Sequence, residues 1–178
     1  MKPAARVMLL AACLTTGTLA AAEAQAAQPA LVSFGAGKFD TSDNDPKNSA
    51  TDFRLEYRFG DDTDLIDFGS GIALRPWVGV ELTTDGMKYA LGGLLLDIPI
   101  GPLVITPSFG AGAFYRGAGK DLGSWVEFRS TIEVGYRFDN GMRISAAYGH
   151  ISNAGITDDN PGAEIGTVYL HIPADLLF

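Results

Sequence analysis

Cysteine is almost absent from this 178-residue sequence, since Cys13 is the only one. One cysteine cannot build a disulfide framework or a cysteine-ligated metal site. Basic residues are also few, because 13 Lys and Arg stand against 21 Asp and Glu and give a formal net charge of −8. An acidic protein binds nucleic acid poorly, so we expect no nucleic-acid partner. Beyond the N-terminal segment, the sequence has no apolar run of the roughly 20 residues that a transmembrane helix needs.

The N-terminal segment has the features of a secretory signal peptide. A basic start precedes a mostly apolar stretch at residues 7–22, and residues 24–26 form a small-x-small cleavage site. We therefore expect residues 1–26 to be removed and residues 27–178 to form a single domain. The alternative is a lipoprotein box that ends at Cys13, but the apolar stretch before this cysteine is very short.

Alternation of apolar and polar residues with a period of two runs through most of the chain. Residues 52–59, for example, alternate between polar and large apolar side chains, which a strand places on opposite faces. Turn residues separate such segments, including residues 97–102 and the Asn-Gly pair at residues 140–141, which favours a tight hairpin. The eight predicted strands cover residues 31–39, 52–59, 72–82, 87–96, 103–115, 126–138, 142–152 and 165–178.

Two architectures place eight antiparallel strands behind a signal peptide. One is a soluble periplasmic barrel of the lipocalin or avidin kind, and the other is a transmembrane barrel whose apolar face meets lipid. Both signs of charge occur in near balance on the polar face, and opposite charges on neighbouring strands can offset their desolvation in a narrow lumen. We therefore favour an all-β fold, an eight-stranded antiparallel transmembrane β-barrel of the bacterial outer membrane. The charged positions are Arg54, Glu56, Arg58, Arg75, Glu81, Glu127, Arg129, Glu133, Arg137 and Arg143.

The C-terminus favours the transmembrane barrel as well. Residues 165–178 carry an alternating apolar series that ends on Phe178, which resembles the C-terminal assembly signal of outer-membrane barrels. With both termini in the periplasm, the loop at residues 153–163 is extracellular. The strand ends next to this loop then lie level with the outer leaflet, which is lipopolysaccharide in a Gram-negative outer membrane.

Three side chains of complementary chemistry lie at the ends of the last two predicted strands. His150 and Ser152 share the parity of the apolar outward positions on one strand, and Glu164 shares it on the next. A serine hydroxyl needs a base to accept its proton, and the base needs a third group to orient it. We predict that Ser152 is the nucleophile, His150 the base and Glu164 the orienting acid. A site of this kind on the lipid side of a barrel indicates acyl chemistry on a lipid.

Acyl chemistry also needs a hydrogen-bond donor for the oxyanion. The loop between the two strands offers three candidates, which are Asn153, Asn160 and the backbone amide of Gly155. The other histidine, His171, has the opposite parity, and we expect it to be a hydrogen-bonded polar partner in the lumen. We predict no metal ion and no cofactor.

Two short segments resemble a known family. Tyr-Gly-His-Ile-Ser-Asn-Ala-Gly at residues 148–155 and Asn-Pro-Gly-Ala-Glu at residues 160–164 are similar to the C-terminal motif of the lipid A 3-O-deacylases, the PagL-like outer-membrane enzymes. The resemblance implies an eight-stranded barrel that hydrolyses the ester at the 3 position of lipid A and releases a 3-hydroxy fatty acid. The family's catalytic His, Ser and Glu then correspond to His150, Ser152 and Glu164.

The expected partners are lipid A or lipopolysaccharide as substrate, the surrounding outer-membrane lipids, and the barrel assembly machinery through Phe178. A homodimer is left open. Two other functions also fit a small outer-membrane barrel. One is a non-enzymatic role in adhesion or membrane integrity, and the other is a lipid A acyltransferase that uses the same nucleophile.

Overall fold

The computed structural model describes residues 28–42 and 49–178, so the predicted signal peptide lies outside the described residues. Within them, eight long antiparallel strands form a wall, and alternating side chains of each strand point to the lumen and to the outside. The wall strands are β1 (Leu31–Phe39), β2 (Ala50–Arg58), β4 (Ala73–Thr83), β5 (Lys88–Ile100), β6 (Leu103–Tyr115), β7 (Val126–Arg137), β8 (Arg143–Ser152) and β9 (Ala163–Pro173). A two-residue strand, β3 (Ile66–Asp67), and two 3₁₀ turns (Asp61–Thr63 and Ala174–Leu176) complete the elements.

The wall closes on itself. Wall strands that are consecutive in the chain pair antiparallel, with β2 pairing directly with β4. The first strand, β1, pairs over its whole length with the last strand, β9, and this pairing closes the barrel. Because the barrel is closed, the backbone N–H and C=O groups of each wall strand pair with neighbouring strands on both sides, and the interior of a membrane requires such pairing. The predicted eight-stranded antiparallel barrel is therefore confirmed.

The prediction of a long turn over residues 97–102 is wrong. Strand β5 continues to Ile100, and only residues 101–102 form the turn to β6. Asp97 points into the lumen, where it accepts a hydrogen bond from Arg143 at 3.1 Å. Aspartate is common in turns, but Asp97 is part of the lumenal ion pairs. The alternation pattern did not reveal this role.

The last strand is also shorter than predicted. The alternating apolar series over residues 165–178 suggested a strand to the chain end, but β9 ends at Pro173. A proline has no N–H to continue a ladder, and a 3₁₀ turn at Ala174–Leu176 follows it. Phe178 donates its backbone N–H to the Ala174 carbonyl, and its side chain is exposed.

Most of the charges that the sequence predicts for the lumen are paired there; the buried Glu127, whose carboxylate oxygens have no hydrogen-bond partner among the described residues, is an exception. Arg58 donates to Glu56 at 3.0 Å and to Glu133 at 2.8 Å, and all three side chains are buried. Arg129 donates to Glu81 at 2.9 Å and also binds Glu56. These contacts connect β2, β4 and β7 across the barrel and compensate the desolvation of each charge.

The outer wall is apolar. Outward side chains on all eight wall strands expose large hydrophobic surfaces, as the interior of a bilayer requires, whereas the lumenal neighbours on the same strands are buried. In residues 28–42 and 49–178, no helix is both long and apolar enough to cross a membrane. Members of the outer apolar surface include Phe34, Phe53, Leu55, Val78, Val80, Leu94, Leu103, Phe109, Ile132, Val134, Ile144, Val168 and Leu170.

Candidate active site

The register of the last two strands brings His150 and Glu164 together. They are direct cross-strand partners in the β8–β9 ladder, on the outward face of the wall. His150 Nδ1 lies 3.3 Å from Glu164 Oε1, and the imidazole and carboxylate are 45% and 29% exposed. A carboxylate at Nδ1 favours the tautomer in which Nε2 carries a lone pair. The pair therefore has the geometry of a base and its orienting acid.

Ser152 lies on the same outward face as the ring. It is the last residue of β8, two positions after His150, which corresponds to a Cβ separation of roughly 6.5 Å along a strand. Its cross-strand partner on β7 is Phe128. Among the described residues, no hydrogen bond joins the Ser152 hydroxyl to the imidazole. Catalytic hydrogen bonds in ligand-free enzymes are often long and shorten only when substrate binds.

A serine from the connection between β1 and β2 completes the surroundings of Glu164. The Ser42 hydroxyl donates to Glu164 Oε2, the oxygen that does not face His150. The backbone N–H of Thr41 donates to the Glu164 carbonyl at 2.8 Å. Because Ser42 is about 120 residues away in the chain, no local sequence pattern could have indicated this contact.

Asn153 organises the loop that follows Ser152. Its side chain is fully buried. Its amide nitrogen lies 2.9 Å from the Leu122 carbonyl and 2.8 Å from both Thr157 Oγ1 and the Asp159 carbonyl. Its amide oxygen accepts the N–H of Gly155 at 2.9 Å. The Asn153 side chain and the Gly155 amide, both oxyanion candidates, are thus engaged in holding the loop.

Asn160 is arranged differently from Asn153. It is exposed, and its side-chain oxygen accepts the backbone N–H of Asn153 at 3.0 Å. This bond fixes the Asn160 amide beside the residue that follows Ser152. Within residues 28–42 and 49–178, its Nδ2 donates to no protein acceptor, so this donor is available to a substrate.

Gly162 packs against the edge of the imidazole. A Cβ on this residue would lie 2.7 Å from His150 Cε1 and 3.2 Å from Nε2. The backbone has φ of +63° here, a conformation that glycine adopts without strain. Only a glycine therefore leaves the ring in its place.

A shallow depression in the outer wall begins at His150. Its volume is about 410 Å³, and it runs across β6, β7 and β8. Ile132 and Tyr148 form apolar parts of its lining, and the Ser130 side chain, the cross-strand partner of His150 on β7, adds a hydroxyl. The depression can hold an apolar chain next to the imidazole.

The second histidine lies in the lumen, as predicted. His171 is fully buried, with Ser33 Oγ 2.8 Å from Nδ1 and Ser145 Oγ 2.8 Å from Nε2. Glu133 Oε1 is 3.1 Å from Nε2. The prediction that His171 is a hydrogen-bonded lumenal partner is confirmed.

The fold resembles those of solved transmembrane barrels. The crystal structure of the outer-membrane enzyme PagL superimposes with a TM-score of 0.64 at 23% identity and covers 80% of this chain and 99% of that one. A de novo designed transmembrane β-barrel gives a TM-score of 0.51 at 14% identity, with 81% of this chain and 93% of the design covered. The closed barrel and its apolar wall define an integral β-barrel protein of the outer membrane.

A second comparison is more specific than this class of protein. The family model described as lipid A 3-O-deacylase (PagL) matches residues 91–173, which run from β5 to the end of β9 and include the candidate site. No curated protein matches the sequence. The family match covers slightly less than half of the chain, and over these residues the chain is similar to the lipid A 3-O-deacylase (PagL) family, whose name describes a hydrolase acting on lipid A.

Proposed function

We propose that this chain hydrolyses the 3-O-linked acyl ester of lipid A with a Ser152, His150 and Glu164 triad. The observation that carries the proposal is the His150–Glu164 pair, which lies on the lipid-facing side of the wall two residues from a serine. A base, an orienting acid and a hydroxyl on one face are the components of a serine esterase. No step of this chemistry requires a metal ion or a cofactor.

The first half of the reaction acylates the enzyme. Ser152 Oγ attacks the ester carbonyl carbon while His150 Nε2 accepts the hydroxyl proton. Glu164 Oε1, at 3.3 Å from Nδ1, stabilises the imidazolium that forms. When the tetrahedral intermediate collapses, the bond to the sugar oxygen breaks and His150 returns the proton to that oxygen. Deacylated lipid A leaves, and the acyl chain stays on Ser152.

The second half uses water. His150 Nε2 accepts a proton from a water molecule that attacks the acyl-enzyme carbonyl, and the Ser152–acyl bond then breaks. The proton returns to Ser152 Oγ, and a 3-hydroxy fatty acid is released. The imidazole thus acts as base and as acid in each half, and the carboxylate keeps its charge throughout.

Asn160 is the donor that best fits the oxyanion. Its Nδ2 is on an exposed side chain whose oxygen is fixed by the Asn153 N–H. The Asn153 side chain and the Gly155 N–H already bond within the loop. We therefore assign the oxyanion contact to Asn160 Nδ2 and a structural role to Asn153. A preorganised donor stabilises charge that develops only in the transition state.

The acyl chain of the substrate fits the depression beside His150. Its lining from Ile132 and Tyr148 continues the apolar outer wall, so a chain can enter from the surrounding leaflet without crossing water. The ester at the head of the chain then lies at the loop end of the wall, where Ser152 ends β8.

Mass spectrometry of lipid A tests the proposed function. Cells that produce the wild-type chain should contain lipid A lighter by one hydroxyacyl group, and cells that produce Ser152→Ala should not. The variant should still migrate as a heat-modifiable barrel, because the hydroxyl makes no contact in the strand ladder. Unchanged lipid A with the wild-type chain would support the non-enzymatic barrel, and a heavier lipid A would support the acyltransferase.

The proposed contact with the assembly machinery depends on Phe178, whose side chain is 93% exposed at the end of the described chain. Deletion of Phe178 should lower the amount of heat-modifiable barrel in the outer membrane. The deacylation rate per folded molecule should stay unchanged, since Phe178 lies at the barrel end opposite His150.

A further inference from the structure

We infer that Ser42 is a positioning residue of the proposed active site, which holds the Glu164 carboxylate so that one of its oxygens faces His150. The inference rests on the proposed function and adds a residue that lies outside both the family match at residues 91–173 and the motif around the triad. Ser42 belongs to the connection between β1 and β2.

The two carboxylate oxygens of Glu164 have different partners. Oε1 faces His150 Nδ1 at 3.3 Å, and Oε2 accepts the Ser42 hydroxyl. A carboxylate held at only one oxygen can rotate about its last bond, whereas two fixed oxygens define its plane. A hydrogen bond to an ionised acceptor is among the stronger ones available to a protein. The Ser42 bond therefore selects the carboxylate rotamer in which Oε1 meets the imidazole.

The backbone places Ser42 at this position. The β1–β9 ladder ends at the pair formed by Phe39 and Ile165. Asp40 then adopts a left-handed conformation with φ of +53°, and Thr41 continues the contact by donating its N–H to the Glu164 carbonyl at 2.8 Å. Ser42 follows directly, so its hydroxyl reaches the carboxylate of the same residue whose carbonyl Thr41 binds.

A partly buried ion pair secures the turn that carries Ser42. Asp40 is fully buried, and its Oδ2 lies 2.6 Å from Lys120 Nζ in the loop between β6 and β7. Asp40 Oδ1 is also 3.4 Å from the Ser42 hydroxyl. A hydroxyl has a single proton to donate, and the contact with Glu164 is the shorter of the two. Asp40 and Lys120 thus fix the turn and leave the Ser42 proton for Glu164.

Loss of the Ser42 hydroxyl should affect the chemical step and not substrate binding. Without the Ser42 hydroxyl, Glu164 would spend less time in the rotamer that orients and stabilises the imidazolium. The imidazolium exists only after Ser152 has attacked, so the loss should reduce kcat and leave KM nearly unchanged. The Ser42 hydroxyl bonds to Asp40 and Glu164, and Ser42 does not line the depression beside His150, which separates its role from substrate binding.

The experiment measures deacylation of defined lipid A in detergent–phospholipid micelles with the refolded barrel. Ser42→Ala should lower kcat by about tenfold with KM changed less than twofold. Ser42→Thr keeps a hydroxyl and should restore most of the rate. Thr84→Ala is the matched control, because it removes a hydroxyl at the same barrel end that accepts the Thr51 N–H at 3.1 Å, and it should retain the wild-type rate.

A double-mutant cycle with Glu164→Ala shows whether Ser42 acts through the carboxylate. Once Glu164 is gone, Ser42→Ala should cost nothing further. A wild-type rate for Ser42→Ala, an equal loss in both backgrounds, or a change in KM alone would each overturn the inference. Ser152→Ala is measured in parallel, so failure of the proposed function would show as activity in that variant or as inactivity of the wild-type chain.

Discussion

The backbone N–H of Asn153 donates a hydrogen bond to the side-chain oxygen of Asn160 over 3.0 Å. The bond joins the residue after Ser152 to the far end of the same loop and fixes the direction of the Asn160 amide. The Asn153 side chain bonds to the loop around it. Two asparagines seven residues apart are thus held differently: the Asn153 side chain supports the loop, and Asn160 is the one we propose as a donor toward substrate.

Asn160→Ala should lower kcat by about 10²–10³-fold, the loss typical of a missing oxyanion donor. Asn160→Asp keeps the oxygen that accepts the Asn153 N–H but removes the Nδ2 donor, so it should lose activity to a similar degree. Steady-state rates on defined lipid A measure both. Near-normal activity in Asn160→Asp would show that the oxyanion is bound by another group.

The members of the triad should differ in their importance. His150→Ala should be nearly as inactive as Ser152→Ala, because the nucleophile then has no base. Glu164→Ala should retain roughly 10- to 100-fold more activity than either, as expected for a residue that orients the base rather than reacting. Single-turnover release of the fatty acid separates these levels. Equal inactivity of all three variants would give the carboxylate a larger part than orientation.

Gly162→Ala should reduce kcat, because the added methyl would lie 2.7 Å from His150 Cε1 and displace the ring. The matched control is Gly101→Ala. Gly101 has a similar φ of +61°, but its added Cβ would meet no atom within 4 Å. Both variants carry the backbone strain of about 1 kcal/mol that a Cβ causes in the left-handed region, and only Gly162→Ala should lose activity. Equal rates would mean that the ring tolerates the displacement.

His171→Ala should keep its activity per folded molecule but unfold at a lower urea concentration. The change leaves the hydroxyls of Ser33 and Ser145 without the ring nitrogens 2.8 Å away. Each unsatisfied buried group costs about 1–3 kcal/mol of unfolding free energy. Glu133, which also faces the ring, keeps its ion pair with Arg58 in the variant. Loss of deacylation in a fully folded His171→Ala barrel would mean that the lumenal histidine contributes to the reaction.

The buried ion pairs should matter more to stability than the exposed ones. Arg58→Ala leaves the buried Glu56 and Glu133 without this partner and should cost about 3–5 kcal/mol of unfolding free energy. Arg116→Ala, the control, breaks a pair with Asp121 in which both side chains are more than half exposed, and it should cost at most about 1 kcal/mol. Urea unfolding in lipid vesicles gives both values, and equal losses would contradict a structural role for the lumenal network.

The sequence by itself determined which side chains face lipid and which face the lumen, because a strand alternates its faces with a fixed period of two. That periodicity predicted the barrel, the lumenal charges and the outward face shared by His150, Ser152 and Glu164. It also predicted the lumenal place of His171. The predicted strand ends at residues 96 and 178 were wrong, because Asp97 continues β5 and β9 stops at Pro173. Alternation alone does not show whether a charge or a proline ends a strand or belongs to it.

Only the tertiary structure decided the contacts between distant segments. The strand register made His150 and Glu164 direct partners, and closure of β1 on β9 brought Ser42 to the same carboxylate. The loop hydrogen bonds distinguished Asn160 from Asn153, which the sequence could not do for two residues of one type. Periodicity specifies the face of each residue, whereas register, closure and loop conformation depend on the packing of the whole barrel.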